Sequence, residues 1–160
     1  MALHKQNIVV VDDDEGMNQA IQRLLSAAGF QVVTFASAEA LLAADGAKEA
    51  GSLVLDIHLP GLSGFELHRR LAQSGAAPPV IFVTAYDDPD TQTQATMAGA
   101  VAYLTKPFPG RLLTNTVLRA IGEQSQESGG GQVKGEMERD AKAVISKPSR
   151  SVTESNENQV

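Results

Sequence analysis

Four apolar runs in this chain each stop at a residue able to do chemistry. Asn7-Ile8-Val9-Val10-Val11 is followed by Asp12-Asp13-Asp14-Glu15. Leu53-Val54-Leu55 ends at Asp56, and Pro60-Gly61 follows almost at once. Pro79-Val80-Ile81-Phe82-Val83 ends at Thr84. Val101-Ala102-Tyr103-Leu104 is followed by Thr105-Lys106-Pro107. Short apolar runs bounded by turn residues read as buried parallel strands. Their carboxyl ends then open on one sheet edge, where open α/β sheets place their ligands. Three carboxylates brought there repel one another unless positive charge sits among them. Oxygen ligands without thiolate or imidazole favour a hard cation, Mg²⁺ ahead of Mn²⁺ or Ca²⁺. Phosphoryl transfer needs an in-line nucleophile, with positive charge and donors for the phosphoryl oxygens. Asp56 is the candidate nucleophile, forming an acyl phosphate. Asp13 and Asp56, with Asp12 mainly through water, are the candidate metal ligands. Lys106 supplies a point charge and Thr84 a hydroxyl donor.

The elements that must position these groups follow from periodicity. A β-branched run over 7–11 and a second run, Gln31-Val32-Val33-Thr34-Phe35, read as strands, and the Asp56, Thr84 and Lys106 runs are the third to fifth. Met17, Ile21, Leu24, Leu25 and Ala28 follow helical spacing, and Gly29 closes that helix. Asp12 to Glu15 also give it the negative charge that a helix N-terminus favours. Ser37 is the expected N-cap of a second helix running to about Asp45-Gly46. A third helix is expected over Ser63 to Ser74. A fourth opens at Asp87-Asp88-Pro89, proline being harmless at an early position, and ends at Gly99-Ala100. A fifth carries Leu112, Leu113, Val117, Ala120 and Ile121, with Gly122 weakening its end. Strands alternating with helices predict a parallel sheet covered on both faces, with right-handed crossovers.

Composition narrows the class. The 160 residues suit one ordinary domain. A net charge of −6 argues against a nucleic-acid or anionic-membrane surface. Cysteine is absent, which excludes disulfides and thiolate metal sites. The N-terminus lacks the apolar core of a signal peptide, and no run reaches the roughly 18 apolar residues that span a bilayer. A cytoplasmic protein is expected. All seven aromatics, five Phe and two Tyr, lie at or before Phe108. From Glu123 the composition turns to Gln, Ser and Gly, and residues 123–160 are expected to form a flexible, mostly disordered tail.

The stretches Val9-Val10-Val11-Asp12-Asp13-Asp14, Leu53-Val54-Leu55-Asp56-Ile57-His58-Leu59-Pro60-Gly61-Leu62-Ser63-Gly64, Ile81-Phe82-Val83-Thr84-Ala85 and Tyr103-Leu104-Thr105-Lys106-Pro107-Phe108 resemble, together and in order, a two-component response-regulator receiver domain. The resemblance covers residues 5 to about 122. Its texture is most similar to receivers of FixJ/NarL-type regulators. It implies a flavodoxin-like (βα)5 doubly wound sheet with strand order 2-1-3-4-5. It implies that Asp56 is the phosphorylation site, Asp12 and Asp13 the acidic pair, and the His58 backbone carbonyl a further metal ligand. It implies that Lys106 contacts the phosphoryl group and that the Lys106-Pro107 bond is cis. Thr84 and Tyr103 form a coupled switch, Tyr103 turning inward once Thr84 moves to the phosphoryl group. The implied donor is a sensor histidine kinase or a phosphotransfer protein. The implied output surface is the fourth helix, fifth strand and fifth helix.

Only 36 residues follow Gln124, too few and too polar for a helix-turn-helix domain. The expectation is thus a stand-alone receiver with a tail, acting through protein–protein contacts rather than directly on nucleic acid. It is expected to be a phosphoacceptor rather than an enzyme in the ordinary sense, although it assists its own Mg²⁺-dependent phosphorylation and dephosphorylation. It is expected to be monomeric, with phosphorylation-linked dimerisation left open. Two alternatives stand beside this reading. Asp12-x-Asp14 resembles the nucleophile motif of haloacid-dehalogenase-type phosphatases, and a pseudo-receiver would bind partners without ever taking phosphate. Plainer roles are expected elsewhere: Asp14 and Glu15 as caps, Asp87, Asp88 and Asp90 as loop and helix-start charges, and His4, His58 and His68 as surface side chains.

Overall fold

The computed structural model describes residues 6–75 and 77–125. The expected tail beyond Ser125, and His4, lie outside the described residues. Five strands and five helices alternate: β1 (Asn7–Val11), α1 (Glu15–Ala27), β2 (Gln31–Phe35), α2 (Ala38–Ala44), β3 (Ser52–Asp56), α3 (Gly64–Gln73), β4 (Val80–Thr84), α4 (Pro89–Met97), β5 (Ala102–Thr105) and α5 (Gly110–Ser125). The sheet order is β2-β1-β3-β4-β5, and every neighbouring pair is parallel. This is the flavodoxin-like order expected from the sequence.

Side chains alternate across a strand, so each buried strand feeds two cores. Val9, Val11, Leu53, Leu55, Phe82 and Tyr103 pack with Leu41, Leu67, Leu71 and Ala95 of α2, α3 and α4. Ile8, Val10, Val54, Ile81, Val83 and Leu104 pack with Ile21, Leu25, Leu113, Val117 and Ala120 of α1 and α5. β3 and β4 are buried at all five positions. Burying one such leucine or phenylalanine contributes about 1.5–3 kcal/mol, so the central strands are the firmest base available for a site.

The helices start where the sequence expects them. Asp14 caps α1 by accepting the backbone N–H groups of Gly16 and Met17, Ser37 caps α2 and Asp88 caps α4. Ser63 and Glu66 form a reciprocal capping box at α3. The ends differ by a few residues. Ser63 and Ser74 are the caps of α3 rather than members of it, and α5 runs through Gly122 to Ser125. A single helical glycine costs only about 1 kcal/mol relative to alanine, which the packed residues before it offset.

α3 lies hard against the end of β3. The Gly64 N–H donates to the Ile57 carbonyl at 3.0 Å, and a Cβ on Gly64 would collide with the Asp56 carbonyl oxygen. Gly64→Ala is therefore expected to lose about 2 kcal/mol or more, because the obstacle is backbone and cannot swing away. Urea unfolding checks this, and an unchanged midpoint would contradict the close approach.

Candidate functional site

The chain leaves β1 at Asp12, which is 3% exposed. Its backbone N–H donates to the Phe35 carbonyl at 3.1 Å, prolonging the β1–β2 ladder by one residue. Asn18, on α1, donates from Nδ2 to the Asp12 carbonyl at 2.8 Å and to the Phe35 carbonyl at 3.3 Å. The position of the first acid is thus fixed by backbone pairing and by one buried amide. Asp13, the next residue, is exposed. β3 ends on Asp56, 6% exposed, whose Oδ1 accepts the His58 backbone N–H at 3.2 Å. One oxygen of each of Asp12, Asp13 and Asp56 lies within 4.8 Å of the other two.

Lys106 enters from beyond β5. The Lys106-Pro107 bond is cis, and the Lys106 N–H donates to the Thr84 carbonyl at 2.8 Å, tying the ends of β4 and β5 together. Its Nζ lies 2.9 Å from Asp12 Oδ2 and 3.6 Å from Asp56 Oδ2. Burial, repulsion from Asp12 and, more weakly, from Asp13 push the Asp56 carboxyl above its usual range, against the pull of Lys106 and the His58 N–H. Burial disfavours the Lys106 charge, yet the Asp12 hydrogen bond and the Asp56 and Asp12 charges hold its pKa above the usual lysine value. The cluster is therefore short of positive charge, and an all-oxygen donor set of this kind fits Mg²⁺.

Thr84, fully buried at the end of β4, accepts the Tyr86 N–H at 2.9 Å. The Tyr86 carbonyl and His58 Nδ1 each stand 3.3 Å from its hydroxyl oxygen. Tyr103 already lies inside the fold, 6% exposed, with its hydroxyl donating to Asp87 Oδ1 at 3.2 Å. Gln92 of α4 donates to the same oxygen at 3.0 Å. Burial and the neighbouring Asp87 raise the Tyr103 phenol well above its usual range. A groove of about 550 Å³ opens beside the acids, with Asp13 and His58 on its site side and Thr91 and Gln94 of α4 opposite.

Asp12, Asp13, Asp56, His58, Thr84 and Lys106 all reach this edge, while the Tyr103 hydroxyl meets Asp87 of the β4–α4 loop. The residues missed are those that hold them. Asn18 shares the buried face of α1 with Ile21 and Leu25, so a polar residue on an apolar stripe was its signal. Asp87 gave only a loop charge. Glu39 of α2 accepts the Leu62 N–H at 2.9 Å and so tethers the loop after β3; no spacing pointed to it. His58 is exposed as expected, but its ring is engaged. His68, expected at the surface, is partly buried edge-on against Phe82, with ring centroids 5.8 Å apart, and burial lowers its pKa.

The family model described as "Response regulator receiver domain" matches residues 8–118. The chain belongs to this family. The family is a phosphoacceptor signalling module of two-component systems rather than a classical enzyme, and the phosphatase reading built on Asp12 is set aside. The receiver is 37% identical to "Transcriptional regulatory protein FixJ" of Bradyrhizobium diazoefficiens over 117 residues, covering 73% of this chain and 57% of that protein. It is 35% identical to "Response regulator protein TmoT" of Ectopseudomonas mendocina over 114 residues, covering 71% and 52% respectively. The chain thus spans about half the length of these curated relatives. Among solved structures it resembles a response regulator receiver protein from Burkholderia phymatum, with 42% identity, TM-score 0.66 and coverage of 74% of this chain and 96% of that one. It also resembles the BeF3-activated DrrB receiver domain, with 30% identity, TM-score 0.68 and coverage of 74% and 99%. Receivers of response regulators exchange phosphoryl groups with histidine kinases or phosphotransfer proteins and typically bind Mg²⁺ in an acidic pocket. Among the described residues, no helix is long and apolar enough to cross a membrane.

Proposed function

We propose that Asp56 takes a phosphoryl group from the phosphohistidine of a sensor kinase or phosphotransfer protein. An Asp56 carboxylate oxygen attacks phosphorus in line, the P–N bond breaks, and the leaving imidazole nitrogen keeps the electron pair. Asp12, Asp13, Asp56 and the His58 carbonyl are the proposed Mg²⁺ ligands, and the ion, when bound, supplies positive charge to the phosphoryl oxygens. Lys106 turns its ammonium from the carboxylates to the phosphoryl group, and the Thr84 hydroxyl donates to it. The domain then acts from the cytoplasm through proteins that dock on the α4–β5–α5 face, with Thr84 and Tyr103 coupling site to surface. The observation that carries this reading is the meeting of three carboxylates within 4.8 Å, with one lysine bridging two of them.

Acetyl phosphate with Mg²⁺ is expected to add one phosphoryl group, seen by intact mass. Borohydride reduction followed by peptide mapping should place it on Asp56, and chelation should prevent it. A label on Asp12 would overturn the assignment, and an unchanged mass would make the domain a phosphate-independent binding module.

A further inference from the structure

The His58 ring reaches from the loop after β3 to the loop after β4. Its Nδ1 lies 3.3 Å from the Thr84 hydroxyl. The ring also meets Tyr86 edge-on, with centroids 5.0 Å apart and planes at 87°, an arrangement that aromatic rings favour. Two loops that border the candidate phosphoacceptor are therefore joined through one exposed side chain.

A threonine hydroxyl has one proton to give and two lone pairs to receive. Here the oxygen accepts the Tyr86 N–H and faces both the Tyr86 carbonyl and His58 Nδ1. In one imidazole tautomer the hydroxyl donates to Nδ1. In the other it donates to the Tyr86 carbonyl and accepts from Nδ1–H. The first arrangement commits to His58 the one proton that Thr84 would need for an oxygen on Asp56, and it is the arrangement in which the ring competes. The Tyr86 contacts arise two residues along the same loop. Among the described residues, the His58 contact is the one that reaches Thr84 from the loop carrying Asp56. Tyr103 is already inside and held by Asp87, so Thr84 is the member of the pair left to turn.

We propose that the His58 side chain is a positioning residue that holds the Thr84 hydroxyl toward the β4–α4 loop and competes for it with the phosphoryl group on Asp56. The ring works as a latch against switching, separately from the His58 backbone carbonyl, which every substitution retains. This rests on Asp56 being the phosphoacceptor.

The test is titration of beryllofluoride, a phosphoryl mimic, into the full chain with Mg²⁺, followed by ¹⁹F NMR. His58→Ala should bind roughly 2- to 10-fold more tightly than the parent, the worth of one net hydrogen bond. His58→Gln, which can still bond the hydroxyl, should return toward the parent value. In a Thr84→Val background, His58→Ala should change nothing. Mg²⁺ affinity without beryllofluoride should stay within about twofold, since the metal-facing carbonyl remains. Equal tightening in the parent and in the Thr84→Val background would overturn the proposal, because the ring would then act by packing or access. So would unchanged or weaker binding in His58→Ala. A parent chain that binds no beryllofluoride would overturn the phosphoacceptor reading itself, which is a different result.

Discussion

Asp56→Asn should take up no phosphoryl group and should be more stable than the parent when metal is chelated. The first half follows from chemistry, because an amide is no substitute for a carboxylate nucleophile. Labelling by acetyl phosphate should fall by roughly 100-fold or more. The second half follows from electrostatics. Burial and the neighbouring acids raise the Asp56 pKa above its ordinary value of 3.8, so the folded protein holds this proton more tightly than the unfolded chain does. Below 3.8 both states are protonated and the site costs nothing. As pH rises through the raised folded value, that advantage is lost, and at pH 7 the folded protein carries a disfavoured charge. Asparagine removes the charge with little change of shape. A gain of about 1–2 kcal/mol is expected at pH 7, shrinking as the pH is brought toward 4. Thermal melts at the two pH values check this. A variant less stable than the parent at pH 7 would mean that the carboxylate is better compensated than the geometry indicates.

Lys106→Ala should do the opposite to stability. The ammonium is mostly buried and lies between Asp12 and Asp56. Removing one partner of a buried ion pair typically costs about 3–5 kcal/mol, because charge is left without compensation. A loss near 3 kcal/mol is expected under chelation. The lysine pKa is raised, so its contribution is intact at neutral pH and fades only as pH climbs through its folded value, above 10.5. Mg²⁺ should restore more stability to this variant than to the parent, since the cation replaces the missing charge. Phosphorylation should still fall by roughly 10- to 100-fold, since no donor follows the phosphoryl oxygens. Melts with and without Mg²⁺ separate the two effects. Equal stability of the variant and the parent under chelation would show that the ion pair is idle.

The fold and the acids were legible for one reason. Parallel strands buried on both faces write continuous apolar runs, and each run here stops at a polar residue that the sheet places on a single edge. Caps were legible because their chemistry is local: Asp14, Ser37, Ser63 and Asp88 act within three or four residues of themselves. Long-range polar contacts were not. Glu39 meets Leu62 across 23 residues, His58 meets Thr84 across 26, and Lys106 meets Asp12 across 94. The parallel-strand reading put Lys106 and Asp12 on one edge, but it gave the lysine to the phosphoryl group rather than to Asp12. The Tyr103–Asp87 bond was hidden because a loop aspartate carries no periodicity to mark its partner.

The alternation of side chains along β4 and β5 has a mechanical consequence. Phe82 and Tyr103 belong to the layer shared with α2, α3 and α4, while Val83 and Leu104 belong to the layer under α1 and α5. A turn of the Tyr103 ring therefore presses first on the layer that holds α4, while α5 sits against Val83 and Leu104 on the other face of the sheet. The proposed docking face thus straddles the sheet, one half adjoining Tyr103 directly and the other reached only through β5 itself.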